Sequence, residues 1–262
     1  MTRAGRYGER FFRPEAAGEG ERIDLAAATY DDTTLARLRQ LGAGPGWRCL
    51  DVGAGTGTVA RRLLREARVS EVLAVDRDAR FLAARPTPGL TVRQADITVD
   101  LPPGRFDLVH TRFVLMHLPS PERMIARLGR QLAPGGVLVV CDAVDLTTAA
   151  APDTPYTQVM RAMWRGLRDT IGTDVSRVPR YPAMLRAAGL RSVAAEIHAP
   201  PLLPGSAISR FWAETWERAR PTITATGLVD DARLDEAVRY LDSPDCADLS
   251  PGLLLAWGRS PH

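Results

Sequence analysis

The stretch Cys49-Leu50-Asp51-Val52-Gly53-Ala54-Gly55-Thr56-Gly57-Thr58-Val59-Ala60 restricts this chain more than any other. Cys49, Leu50 and Val52 form a short apolar run that reads as a buried strand. Alternate glycines break it. Beyond them Val59, Ala60, Leu63, Leu64 and Ala67 fall on one helical face, with Arg61, Arg62, Arg65 and Glu66 on the other. Strand, glycine turn and helix in this order bring backbone against a ligand at the carboxyl end of a parallel strand. Glycine suits the turn because it tolerates the dihedrals and has no side chain to hold a ligand off. Gly53, Gly55 and Gly57 make a G-x-G-x-G pattern preceded by Asp51. A dinucleotide fingerprint is spaced differently, as G-x-G-x-x-G. Taken alone, the motif is also compatible with a glycine-rich connection in some other α/β domain.

Further buried strands are expected at residues 71–75, 91–95, 106–110 and 137–141, with helical patterns near residue 80 and over 121–132. Strands alternating with helices at this spacing predict a parallel, doubly wound sheet. Asp76 closes the second strand, 23 residues beyond Gly53. That is near the ~20-residue offset at which an acid meets ribose hydroxyls in nucleotide-binding α/β folds. A carboxylate accepts from both hydroxyls at once, which explains an acid there. Asp96 follows the third strand. Each acid also has a plain reading as a helix cap or turn residue.

On either side of this core the pattern changes. Residues 23–41 read as helical, with Asp31 or Asp32 as an N-cap for the second part. Before them, Tyr7, Phe11 and Phe12 suit either an arm folded over a site or a simple anchor for the terminus. After residue 145 come Thr, Ala and Pro, then helices over 156–171, 182–188, 208–219 and 231–241. A strand is expected over 192–198, and one over 253–257 that closes the sheet as an edge hairpin. The expected organisation is one domain over 1–262. Residues 1–42 form an N-terminal helical arm and 43–145 a ligand-binding core. A helical cap comes from 146–180 and 200–245, and closing sheet elements come from 181–199 and 246–262.

Several classes are disfavoured by composition. A net charge of +3 is too small to imply nucleic acid or a membrane surface. No apolar run approaches the roughly 20 residues of a membrane helix, and the first residues lack the apolar stretch of a signal peptide. Cys49, Cys141 and Cys246 show no ligand spacing, so neither a metal site nor a disulfide is expected. A reducing, cytoplasmic setting is the default. The chain has no lysine, which excludes a lysine Schiff base.

Together these features resemble the class I S-adenosylmethionine-dependent methyltransferases. The matching residues are L-D-V-G-A-G-T-G at 50–57, A-V-D at 74–76, Q-A-D-I at 94–97 and F-D-L-V-H at 106–110. They continue with H-L-P at 117–119, L-A-P-G-G-V-L-V at 132–139, L-R-A-A-G-L-R-S-V at 185–193 and A-W-G-R at 256–259. The resemblance covers about residues 30–260 and looks closest to enzymes that methylate small natural products. It implies a doubly wound, mostly parallel seven-stranded Rossmann-like sheet with an antiparallel edge strand and a helical substrate cap. It also implies S-adenosyl-L-methionine as cofactor. Gly53, Gly55 and Gly57 would let the methionine part lie against backbone, and Asp51 would orient its amino end. Asp76 would hold the ribose, with Arg77 beside the adenine. Asp96 would accept from the adenine amine, Ile97 would sandwich the ring, and Thr111 would lie near the sulfonium.

Methyl transfer from such a cofactor is an in-line displacement in which alignment supplies much of the rate. A hydroxyl acceptor gains from a general base. His117 is the candidate, with His110 the other histidine near the site; each also reads as a structural residue. No metal is required. Trp212 with Trp216, and Met160 with Trp164, are i, i+4 pairs that suit either a core or a pocket for a flat apolar molecule. The expected partner is a small-molecule substrate, with no nucleic acid and no membrane; a homodimer is left open. Two other readings remain: a same-scaffold enzyme that keeps the cofactor without methylating, such as a cyclase, and a non-catalytic binding protein.

Overall fold

In the computed structural model, residues 6–9, 11–148 and 151–261 are described. The first five residues of the expected arm, Arg10, and Ala149 and Ala150 of the expected cap lie outside them. A long helix α1 (Glu19–Gln40) leads into β1 (Arg48–Val52), the glycine turn and α2 (Thr58–Arg62). The helix then widens into a π turn at Leu63–Ala67 and stops where Arg68 turns left-handed. Next come β2 (Glu71–Asp76), α3 (Arg80–Ala83), β3 (Leu90–Gln94) and β4 (Phe106–Arg112). They are followed by α4 (Pro121–Gly129), with Pro121 in its first turn, and the long β5 (Leu132–Val144). The second half holds α5 (Pro155–Ile171), α6 (Tyr181–Ala187), β6 (Arg191–His198), α7 (Ala207–Thr224), α8 (Asp231–Leu241) and β7 (Gly252–Arg259).

The strand order is β3-β2-β1-β4-β5-β7-β6. Strands β1 to β5 pair in parallel, and β7 runs antiparallel to both β5 and β6. The antiparallel strand thus lies in the sheet's outer pair, one in from β6. Strand order reverses on either side of β1, so the crevice between the carboxyl ends of β1 and β4 is the topological switch point, the usual ligand position in such sheets.

The sheet is covered on both faces, which is why its central strands are apolar almost throughout. Leu108, Val137 and Val139 pack on one face with α1, α2, α5 and α7. Leu50, Val109, Leu138 and Val140 pack on the other with α4 and α6. Helix α1 runs unbroken, so Asp31 is not a cap. It sits in mid-helix, buried, and takes the Arg112 guanidinium at 2.6 Å. The C-terminal helices pack on one another and on α1, forming the layer above the crevice. Among the described residues no helix is long and apolar enough to cross a membrane.

Candidate functional site

A cavity of about 420 Å³ opens at the switch point. Its floor is the glycine turn. Gly53 has φ +69°, and a Cβ there would lie 2.2 Å from a Val114 methyl, so only glycine fits between the turn and the loop after β4. Gly55 has φ +57° and faces the cavity; the nearest atom to a Cβ there would be an Ile23 methyl at 3.5 Å. Gly57 lies elsewhere. It starts α2, and a Cβ on it would strike Leu82 at 2.6 Å. It packs helix against helix rather than lining the cavity, contrary to expectation.

The acids stand at the strand ends. The Asp76 carboxylate accepts from the Gly55 N–H at 2.8 Å and from the Asp78 N–H at 3.0 Å. Burial raises its pKa above the usual carboxylate range, against the pull of these backbone donors. Asp96 accepts from the N–H and hydroxyl of Thr98 at 2.9 and 2.6 Å, and from Arg6 at 2.5 Å. Burial alone would raise it, but Thr98 and Arg6 together lower it. Asp51, in register with His110 across β1 and β4, accepts or shares a 2.8 Å hydrogen bond with His110 Nδ1. Asp51, Gly53, Gly55, Asp76, Arg77, Asp96 and Ile97 all line the one cavity.

Thr111 does not. Side chains alternate along β4, so His110 and Arg112 face the cavity while Thr111 is buried away from it, its hydroxyl without a partner among the described residues. The expected position near a sulfonium is therefore corrected.

His117 also lines the cavity. Its Nδ1 shares a 2.8 Å hydrogen bond with the Thr173 hydroxyl, and the Tyr7 ring lies 4.4 Å away, centroid to centroid. Burial, helped by the Arg22 charge, pushes its pKa down to about 3, so the imidazole is neutral at physiological pH and a weak base.

The N-terminal segment is an arm over this cavity. Arg6 reaches Asp96, the Tyr7 carbonyl accepts from Arg77, and Phe12 is buried at φ +60°. The Tyr7 hydroxyl accepts from Arg22 at 2.8 Å. Arg22 is itself buried and held by both oxygens of Glu19 at 2.6 and 3.0 Å, with Thr215 as a further acceptor.

The cap supplies aromatic walls. Trp164 and Trp212 meet edge to face at 6.0 Å, with Phe211 and Met163 beside them. Both indole N–H groups are used inside the protein: Trp164 donates to Asp145 and Trp212 to Ser250, each at 2.8 Å. Trp216 is fully buried and lies outside the cavity, as does Met160, so each i, i+4 pair splits between wall and core.

Arg22, Tyr30 and Arg112 of the cavity wall, and Asp142 behind it, had no expected role from sequence. Arg112 carries a faint signal, an arginine leading into the apolar run Phe113-Val114-Leu115-Met116; Arg22 carries none, because it lies in the charged stretch Glu19-Gly20-Glu21-Arg22-Ile23-Asp24. Asp142 lies inside an otherwise apolar strand, and accepts from the Val114 and Met116 N–H groups and from the Tyr181 hydroxyl.

The fold is a doubly wound, Rossmann-like one with its cavity at the switch point. Residues 50–140 match the sequence profile described as "Methyltransferase domain". Methyltransferase str3 of Strobilurus tenacellus is 37% identical over 128 residues, which is 47% of this chain and 45% of that protein. Trans-aconitate 2-methyltransferase of Deinococcus radiodurans is 39% identical over 94 residues, 35% of this chain and 36% of that one. The chain thus spans less than half the length of these curated relatives. A putative methyltransferase from Bacillus halodurans shares the fold at a TM-score of 0.54 and 20% identity, over 88% of this chain and 100% of that one. Over residues 50–140 the chain is thus similar to a methyltransferase domain, on a fold shared with class I methyltransferases.

Proposed function

We propose that this chain transfers a methyl group from S-adenosylmethionine to an oxygen, nitrogen or carbon of a neutral, flat, largely apolar metabolite. One observation carries the reading: the acid-and-glycine crevice and the aromatic cap share a single cavity in which, among the described residues, every lining arginine is already engaged. Arg6 is paired with Asp96, Arg22 with Glu19, Arg112 with Asp31, and Arg77 with the Tyr7 carbonyl and Glu9. A carboxylate substrate would have to break one of these pairs, two of them buried, and strand its partner. A trans-aconitate-like substrate is disfavoured on that ground.

The cofactor residues fit this reading. Gly53 and Gly55 offer backbone to the methionine part, and Asp51 its amino end. Asp76 offers carboxylate oxygens to the ribose, while Asp96, Arg77 and Ile97 surround the adenine. Bound there, S-adenosylmethionine supplies an activated methyl group, so the residues need only align an acceptor and exclude water. The apolar faces of Trp164, Phe211 and Trp212 press a planar acceptor into place. His117, held neutral, positions a polar atom of the acceptor rather than acting as a strong base.

Calorimetry tests both halves. S-adenosylhomocysteine should bind the wild type, and Asp76→Asn should weaken it by about tenfold or more, the loss of a charge-assisted hydrogen bond. With that nucleoside bound, a naphthol should bind more tightly than the naphthoate of the same ring skeleton. Tighter binding of the naphthoate would refute the neutral substrate. No affinity for S-adenosylhomocysteine would refute the enzyme. In turnover, a product heavier by one methylene distinguishes methylation from cyclisation.

A further inference from the structure

One polar atom in the cavity wall has no role in the reading so far. His110 is buried, with 1% of its surface exposed, and its Nε2 has no hydrogen-bond partner among the described residues. A buried polar atom left unpaired is costly, and in a ligand site it marks where a ligand group belongs. Its other nitrogen settles what that group is. Nδ1 lies 2.8 Å from Asp51 Oδ1, and a carboxylate only accepts, so the imidazole proton sits on Nδ1. With a single proton on the ring, held at Nδ1 by Asp51, Nε2 is a bare acceptor. The strand register fixes the arrangement: Asp51 on β1 stands directly opposite His110 on β4, and both line the cavity beside Gly53.

The geometry points to His110 as a positioning residue for the cofactor's ammonium group: Nε2 accepts an N–H from the methionine end, and Asp51 fixes the tautomer that makes this possible. The assignment rests on the cofactor reading above. A methionine end has a donor-rich ammonium, and the wall next to Asp51 presents an acceptor without a donor. His110 lines the cavity directly across the β1–β4 pair from Asp51, the residue that leads into the glycine turn. An acceptor at this place reads the amino-acid part of the cofactor and not the substrate.

Two nucleosides separate this from a packing role: S-adenosylhomocysteine, which carries the ammonium, and methylthioadenosine, which lacks the amino-acid part. Binding of each is measured by calorimetry to wild type and His110→Phe. His110→Leu carries the same expectation should the phenyl ring prevent folding. The variant should lose S-adenosylhomocysteine affinity by about tenfold, the scale of one charge-assisted hydrogen bond, while methylthioadenosine binds as in the wild type. A smaller loss than about fivefold, or a parallel loss for both nucleosides, overturns the assignment. Failure of the wild type to bind either nucleoside refutes the cofactor reading itself and is seen before any variant is made.

Discussion

His117 shows what burial does to a single titratable side chain. Its folded-state pKa of about 3 lies below the ordinary 6.5. Between those values an unfolded chain takes up a proton that the folded chain refuses, so acid favours unfolding. The stabilisation from keeping this ring neutral is complete above pH 6.5 and is lost as pH falls toward 3. His117→Asn cannot be protonated, so its unfolding free energy should lack this dependence. Measured by denaturant titration at a series of pH values, the wild-type advantage over His117→Asn should shrink steadily below pH 6.5. A constant difference across that window would mean that the ring is protonated in the folded state, and would restore it as a candidate base. The histidine-leucine-proline motif marked the residue in the sequence. Its reluctance to ionise was not visible there, because it depends on Arg22 and Tyr7, contributed from far upstream in the chain.

At the scale of elements, the loop after β4 is held by β5. Asp142 takes the Val114 N–H on one oxygen at 2.8 Å, and the Met116 N–H at 3.0 Å with the Tyr181 hydroxyl at 2.5 Å on the other. Burial pushes its pKa up to about 7 despite these donors. In Asp142→Asn the amide oxygen keeps the Val114 bond and the amide nitrogen turns to the Tyr181 oxygen, leaving the Met116 N–H without an acceptor. An unpaired buried donor costs about 1–3 kcal/mol. Hydrogen exchange at Met116 should therefore quicken by about tenfold or more, with Val114 less affected. Equal rates at both amides would show that the carboxylate does not hold the loop. Strands were the most legible elements here, because a sheet covered on both faces demands runs such as V-L-V-V that no surface element needs. Their ends were not: β5 runs from Leu132 to Val144, well past the apolar run at 137–141. The insertion of β7 between β5 and β6 is a matter of long-range pairing with no local mark. Strand alternation also decided Thr111, since the same parity that turns His110 and Arg112 to the cavity turns Thr111 away.

The whole molecule divides its work unevenly along the chain. The profile match covers residues 50–140, the part that builds the crevice, and its motifs could be read directly because backbone contact with a ligand demands particular residues. The helices after β5 lie outside the profile match, and their aromatics at helical spacing could have been core; Trp216 and Met160 are. The N-terminal arm is what joins the halves. Arg6 holds Asp96 on the cofactor side, and Tyr7 touches His117 and Arg22, which in turn reaches Thr215 of α7. An element with contacts on both sides should gate both ligands. Arg6→Ala combined with Tyr7→Ala should speed release of S-adenosylhomocysteine by about tenfold and weaken naphthol binding together, since it removes a charge-assisted contact at one end and a ring at the other. Trp212→Ala supplies the contrast: it opens only the cap wall, so naphthol binding should weaken while nucleoside release keeps its wild-type rate. Stopped-flow release and calorimetry on the two variants decide the matter. If the arm variant changed only one ligand, the arm would be a cover for that half alone, and the cavity would work as two separate sites.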